Sequence, residues 1–498
     1  MQSSKTYLRA CFLSIIAISF FTPRPVLARP ATLVPPNTYL NFETSNASAR
    51  VAYPFPENFL FGTASAAFQI EGHNTHSDWA AWEKLGKNED AQMVGAGTDH
   101  WNRMSEDVEL LKKLGMRSYR FSIEWSRLET EPGVWDANAI EQYRSFVDKL
   151  EAAGISPMIT LVHFTLPNWL ARKGGFRETN FVKRFGDFTQ VVSKKIAPHA
   201  THFITFNEPM VHLLGGYVDG SFPPGLKNDF KAFFQAEIQM IKAHAYAYKI
   251  LKSSGSKNRK VGIAQSLVNF KPKTPILDSW LSSAAQKFFN RSLLDALYSG
   301  ELKQSIPTKG RIHYDLSRWQ EASFGQRVPA APFTPLLDFI GMNTYSTSYL
   351  RARWFEKGIL DVERVGKTDK KFSHGGDLDP RAIYEVLQWI SHSYPNMDIH
   401  ITESGYNGSS DAMRRAYILE VLAYCSRAIS EGVRLKGYQY WSFIDSFEWL
   451  KGWKAKDAFG LVAFDRKNFT RTPKPSAILY RTIIQGNGFV SLPLKEAK

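Results

Sequence analysis

The stretch "HFITFNEP", residues 202–209, is a β-branched, apolar run that stops abruptly on an amide, a carboxylate and a proline. Without polar alternation along it, such a run reads as a strand buried on both faces, and the proline ends it by withdrawing a backbone N–H. A second version follows far along the chain. "DIHITESGYNG", residues 398–408, is again a short apolar run that finishes on a glutamate, here Glu403 followed by Ser404 and Gly405. Two buried strands that both end on a carboxylate suggest a pair that works together.

Working outward, six further runs share this texture: "NFLFGTASAAF" (58–68), "SYRFSIEW" (118–125), "SPMITLVHF" (156–164), "KVGIAQSL" (260–267), "DFIGMNTY" (338–345) and "LKGYQYWSF" (435–443). Between them lie stretches with apolar residues three and four apart, among them "EDVELLKKLG" (106–115), "NAIEQYRSFVDKLEAAG" (138–154), "FVKRFGDFTQVVSKKI" (181–196) and "MRRAYILEVLAYCSRAISEG" (413–432). Near-continuous apolar strands alternating with amphipathic helices predict a parallel sheet covered by helices, and eight such units favour a closed (β/α)₈ TIM barrel. No glycine-rich turn follows the first strand, so a dinucleotide fold has little support.

The 498 residues are 44% hydrophobic and 14% aromatic, the make-up of a globular chain with a large core. The formal net charge is +15, yet the basic residues are scattered, often beside acids, as in "KLGKNED" (84–90) and "LKKLGMR" (111–117). A nucleic-acid partner would want them clustered on one face, so none is expected; a solvated basic surface, open to loose attraction by acidic surfaces, is. At the N-terminus Lys5 and Arg9 precede the apolar run 11–21 and the small-residue site "VLA" (26–28). This is the pattern of a secretory signal over residues 1–28, cleaved after Ala28, and it predicts a protein secreted to the exterior or, in a bacterium, the periplasm. A Pro-, Ser- and Asn-rich leader over 29–52 would precede the barrel, 53–490. No other segment nears the ~20 apolar residues of a membrane span. Cleavage removes Cys11 and leaves Cys425 alone, so no internal disulfide is expected. Asn46, Asn290, Asn407 and Asn468 stand in N-x-Ser/Thr triplets, relevant in a eukaryotic secretory pathway.

In a barrel of this kind the active site is built at the carboxyl ends of the strands. Gln69, Arg120, His163, Asn207, Glu208, Asn343, Tyr345, Glu403, Trp441, Glu448 and Trp449 lie there or just beyond. The set combines carboxylates, amides and aromatics with one histidine and no paired-histidine metal spacing, so no metal or organic cofactor is expected. No serine sits in a G-x-S-x-G turn, which argues against an esterase. Aromatic faces and amide or carboxylate forks suit sugar rings, and two carboxylates in such a pocket are what glycoside cleavage requires. The expected partner is a small-molecule glycoside.

The stretches "FLFGTASAAFQIEG", "YRFSIEWSR", "TLVHFTLPNWL", "TFNEP", "DFIGMNTY", "ITESGYNG" and "YWSFIDSFEWLKGW" together resemble glycoside hydrolase family 1, the β-glucosidase family, from about residue 55 to 480. The resemblance implies that Glu208 is the general acid/base and Glu403 the nucleophile of a retaining β-glycosidase, with carboxyls about 5–5.5 Å apart and a covalent glycosyl intermediate. It implies that Arg120 and Tyr345 keep Glu403 ionised. It also implies that Asn207 meets the sugar 2-hydroxyl, and that Gln69, His163, Asn343, Trp441, Glu448 and Trp449 cradle the first sugar. The carboxylate of Glu448 would repel a phosphate, so a non-phosphorylated glycone is expected. The chain departs from the family at Ser404 (customarily Asn), at Thr165 (customarily Asp) and in a loop after Trp449 that is about two residues longer and lacks a customary Arg. These changes bear on the shape and specificity of the site rather than on the reaction class. A transglycosylase with the same residues, or a silent sugar-binding protein on the same barrel, are the alternatives; both glutamates argue against the second. The loops 212–228, 310–335 and 352–378 would decide the aglycone, and oligomeric state is not legible.

Overall fold

The computed structural model describes residues 51–254, 256–276, 278–306, 310–315, 334–354, 360–365, 376–454, 458–491 and 494. The proposed signal and leader therefore lie outside the described residues but for 51 and 52. The eight apolar runs each contain one strand: β1 (Leu60–Ala64), β2 (Ser118–Ser122), β3 (Ser156–Val162), β4 (His202–Asn207), β5 (Lys260–Ser266), β6 (Phe339–Asn343), β7 (Asp398–Ser404) and β8 (Leu435–Trp441). They pair in parallel in chain order, and β8 returns to β1, with Gly437 to Trp441 beside Leu60 to Ala64, to close the barrel.

Each strand is followed by a helix: α1 (His100–Lys113), α2 (Ala137–Ala152), α3 (Phe181–Val191), α4 (Phe230–Ser253), α5 (Ser292–Ser299), α6 (Arg381–Ser393), α7 (Asp411–Ser430) and α8 (Pro475–Gln485). In α2 the buried side chains are Ala139, Ile140, Tyr143, Phe146, Val147 and Leu150, the three-and-four spacing of one helical stripe. Asp136 starts that helix by accepting from the N–H groups of Asn138 and Ala139, and Ser410 caps α7 through Met413. The predicted helix 181–196 is α-helical to Val191 and then widens into a π-turn over Val192–Ile196.

The main core lies between strands and helices. A second, small cluster is drawn from strands alone: Met158, Ile204, Ala264 and Phe339. Further along three of those strands come Thr160, Asn207 and Asn343, so the side chains turn polar toward the carboxyl ends. The region 352–378, expected as loop, contributes β structure: Ser346–Trp354 pairs antiparallel with Leu360–Val365. The alternation in "SYLRARW" and "LDVERV" is the period of a two-faced hairpin rather than of a buried barrel strand. Glu301–Ile306 and Gly310–Asp315 form a second hairpin. Residues 316–333 and 366–375 lie outside the described residues. Among the triplet asparagines, Asn290 is wholly buried, its amide donating to the Val268 carbonyl at 2.8 Å, whereas Asn468 is exposed and Asn46 is not described. Cys425 is free and buried. Among the described residues no helix is long and apolar enough to cross a membrane.

Candidate active site

β4 ends at Asn207, and the next residue, Glu208, has φ +42°, in the left-handed region that costs a non-glycine residue about 1–3 kcal/mol. Its N–H still donates to the Ala264 carbonyl of β5 at 2.7 Å, and Pro209 opens a short helix directly after it. The strand is therefore cut at the position where its last side chains face the barrel mouth. β7 is irregular in another way: its register shifts against β6 at Asn343 and against β8 between Ile401 and Ser404, leaving Glu403 where the ladder fails.

Arg120, wholly buried in the middle of β2, ties these strands together. Its guanidinium donates to Glu403 Oε1 at 2.6 Å, to Asn207 Oδ1 at 2.6 Å, to the Thr402 carbonyl at 2.9 Å and to Thr160 Oγ1 at 3.1 Å. The Tyr345 hydroxyl donates to the other oxygen of Glu403 at 2.7 Å. Among the described residues Glu208 has no cation in contact: Asn343 Nδ2 donates to its Oε1 at 3.0 Å, and Ser266, at the end of β5, supplies a further hydrogen bond. The same asparagine also hydrogen-bonds Glu403 and is oriented by Thr402 Oγ1, which donates to its Oδ1 at 2.7 Å.

The electrostatics follow. Burial, and then the negative charge of Glu403, push the Glu208 carboxyl up to about 8. Burial raises Glu403 too, but the Arg120 charge and the Tyr345 hydroxyl oppose it. When the pair carries one proton, that proton belongs on Glu208.

Asn207 passes order to His163. Because its Oδ1 accepts from Arg120, its Nδ2 is the atom that faces His163 Nε2, at 3.1 Å. His163 Nε2 must then accept, which places the imidazole proton on Nδ1, an atom with no hydrogen-bond partner among the described residues. Burial and the Arg120 charge hold His163 well below its usual range, so it is neutral. Its ring lies nearly parallel to Trp441 (5.7 Å, 23°) and to Trp449 (6.1 Å, 16°). Gln69, in the short helix Ala67–Ile70, donates to the Phe447 carbonyl at 2.5 Å and leaves its Oε1 without a partner among the described residues. Glu448 is buried in the adjoining turn, where its N–H donates to the Gly452 carbonyl at 2.9 Å. All eleven residues singled out in the sequence thus fall around one end of the barrel.

Sequence reasoning missed Ser266, Thr402 and Thr160. Ser266 and Thr402 stand at the ends of β5 and β7, where the rule for barrel sites could have found them. Ser404 is buried, with its hydroxyl 2.9 Å from Tyr417 OH. The loop after Trp449 docks on residues 89–93: Trp453 N–H donates to Asp90 at 2.7 Å, Trp453 Nε1 to the Met93 carbonyl at 3.1 Å, and Glu89 pairs with Lys451 and Lys454. Residues 455–457 of that loop are not described. Among the described residues, no group of three or more His, Cys, Asp or Glu is arranged to hold a metal ion.

Comparison with known proteins agrees with this geometry. The sequence profile of glycosyl hydrolase family 1 matches residues 51–489. A curated "Beta-glucosidase A" of Thermotoga maritima is 30% identical over 461 residues, covering 87% of this chain and 98% of that protein. Another "Beta-glucosidase A", of Acetivibrio thermocellus, is 29% identical over 87% of this chain and 99% of its own. Among solved structures, a β-glycosidase from Pyrococcus horikoshii superposes with a TM-score of 0.77 at 34% identity, covering 88% of this chain and 96% of that one. A family 1 β-glucosidase from Thermotoga maritima gives a TM-score of 0.77 at 28% identity, covering 88% and 99%. A profile that spans the whole barrel, with relatives matched over nearly their full length, places the chain in glycosyl hydrolase family 1: it is a glycoside hydrolase.

Proposed function

We propose that this hydrolase is a secreted, retaining β-glycosidase, acting chiefly as a β-glucosidase on terminal, non-phosphorylated glycosides. The observation that carries the reading is the asymmetry of the two glutamates: among the described residues Glu403 has a cation and a hydroxyl donor in contact, Glu208 only neutral donors. Glu208 gives its proton to the glycosidic oxygen as the bond from that oxygen to the anomeric carbon breaks. Glu403 attacks the anomeric carbon and forms a glycosyl ester. Its negative charge is then gone, the proton affinity of Glu208 falls, and Glu208 takes a proton from the water that cleaves the ester. Two inversions at one carbon retain the β configuration.

The glycone reading rests on the orphaned polar atoms. His163 Nδ1–H is a buried donor and Gln69 Oε1 a buried acceptor, and sugar hydroxyls would satisfy both. Asn207 stands beside both Arg120 and His163, suited to a hydroxyl next to the reacting carbon. Trp441 and Trp449 offer ring faces to C–H surfaces, and a buried carboxylate at Glu448 disfavours a phosphate. Export rests on the sequence of residues 1–28.

Hydrolysis of a panel of nitrophenyl β-glycosides by the mature protein tests this, with Glu403→Ala as the blank. The expected result is turnover fastest on the glucoside, lost in the variant, and recovered with azide as an α-glycosyl azide. Turnover that survives the substitution would contradict the nucleophile assignment.

A further inference from the structure

His163 directly follows β3, and the residue after it bends as L-residues seldom do: Phe164 has φ +69°. Such a turn persists only where its surroundings over-determine it. Here the surroundings are the segment 76–79 and the end of β2. Trp79 Nε1 donates to the Phe164 carbonyl at 2.9 Å. Thr165 Oγ1 donates to the Glu124 carboxyl, 3.0 and 2.9 Å from its two oxygens. Leu166 N–H donates to Asp78 Oδ1 at 2.9 Å, and Asp78 N–H returns to the Leu166 carbonyl at 2.9 Å. Asn168 N–H donates to the His76 carbonyl at 2.7 Å. Asp78, Trp79, Glu124 and Thr165 are all buried. Trp79 also packs on Trp449 at 4.6 Å, the ring that lies parallel to His163.

Two of these holders are carboxyls, and neither forms an ion pair among the described residues. Arg127, which acts on Glu124 from a distance, is paired with Glu71 at 2.7 Å. Burial pushes Asp78 up to about 8 and Glu124 up to about 7. Buried carboxyls without a cation are costly where only packing is needed. Their place here fits a demand on geometry. Glu124 fixes the turn through the Thr165 side chain, Asp78 through the Leu166 backbone.

We propose that Glu124 and Asp78 are positioning residues for glycoside cleavage: through Thr165 and Leu166 they set the turn at Phe164, and with it the face that His163 presents to the first sugar. This rests on the reading of His163 as a sugar contact given above.

The test is a double-substitution cycle on the nitrophenyl β-glucoside, with Thr165→Val, Thr165→Ser, His163→Ala and the pair Thr165→Val/His163→Ala, each checked for its melting temperature. Thr165→Val is expected to lower kcat/KM about tenfold with a melting temperature close to wild type. Thr165→Ser, which keeps the hydroxyl, is expected to recover most of that loss. The double variant is expected to be no worse than His163→Ala alone, because the two changes act through one ring. Losses that multiply in the double variant, or a Thr165→Val enzyme as active as wild type, would overturn the proposal. If His163→Ala itself changes nothing, the sugar-contact reading falls and this inference with it; if it is damaging and Thr165→Val is not, only this inference falls. Should Thr165→Val not fold, Asp78→Ala in the same cycle gives the same two outcomes.

Discussion

The ends of β4 and β7 each offer a glutamate to the same pocket, yet the barrel prepares them differently. Glu403 sits where the ladder of β7 fails and is held by side chains: Arg120 on one oxygen, Tyr345 on the other. Glu208 sits where the backbone of β4 turns left-handed and is touched by neutral donors, with part of its surface open. One carboxyl is given a charge to answer its own. The other is left in a half-buried, negative neighbourhood that favours its acid form. Two residues of one kind thus acquire opposite protonation states from their partners alone.

Removing Glu403 should do the most damage to that contrast. Glu403→Ala should lose on the order of 10⁴-fold or more in kcat, the scale seen when a covalent nucleophile is deleted. Glu208→Gln should cost roughly 10²–10⁴-fold on substrates with poor leaving groups, and far less on the formation of the glycosyl ester from activated aryl glycosides, since only the former need the proton. Equal losses on both would break the comparison.

The pH profile sharpens it. Wild-type activity should fall as pH rises through about 8, where Glu208 gives up its proton, and this alkaline limb should vanish in Glu208→Gln. Arg120→Met removes the charge that opposes protonation of Glu403. The acid limb of kcat/KM should then move to higher pH by about one unit or more, because the nucleophile must be ionised to act. An unmoved acid limb would show that Arg120 does not set the charge of Glu403.

The smallest expected effect is on stability. The raised value for Glu208 means that the folded protein keeps a proton which the unfolded chain has released. Stability is therefore lost as pH rises from the ordinary carboxyl range through about 8. Glu208→Gln escapes that loss, so its melting temperature should gain on wild type by about 2 °C between pH 5 and pH 8.5. A constant gap across that range would argue that Glu208 is not held protonated.

The barrel was legible because its strands are buried on both faces and lack a regular polar alternation, while the helices between them keep one apolar stripe. The site was legible because its residues stop at strand ends, as Glu208 and Glu403 do. What stayed hidden depends on register and on contacts between distant segments. Ser266 reaches Glu208 only because β5 runs beside β4. Thr165 stood out as a departure, but nothing in the sequence pairs it with Glu124 or joins Asp78 to Leu166, since those bonds arise only once the β1, β2 and β3 connections meet. The hairpin of Ser346–Trp354 and Leu360–Val365 lies outside the barrel pattern, and it overlaps the expected loop 352–378 only from residue 352 on.

The most direct test of the central claim is to trap the intermediate. A 2-deoxy-2-fluoro β-glucoside with a good leaving group slows turnover of the ester, and peptide mass spectrometry of the treated protein then locates the sugar. The account predicts one glycosyl group, carried by Glu403 and released by water or azide with return of activity. A sugar found on Glu208 or elsewhere, or inactivation with no covalent sugar at all, would contradict it.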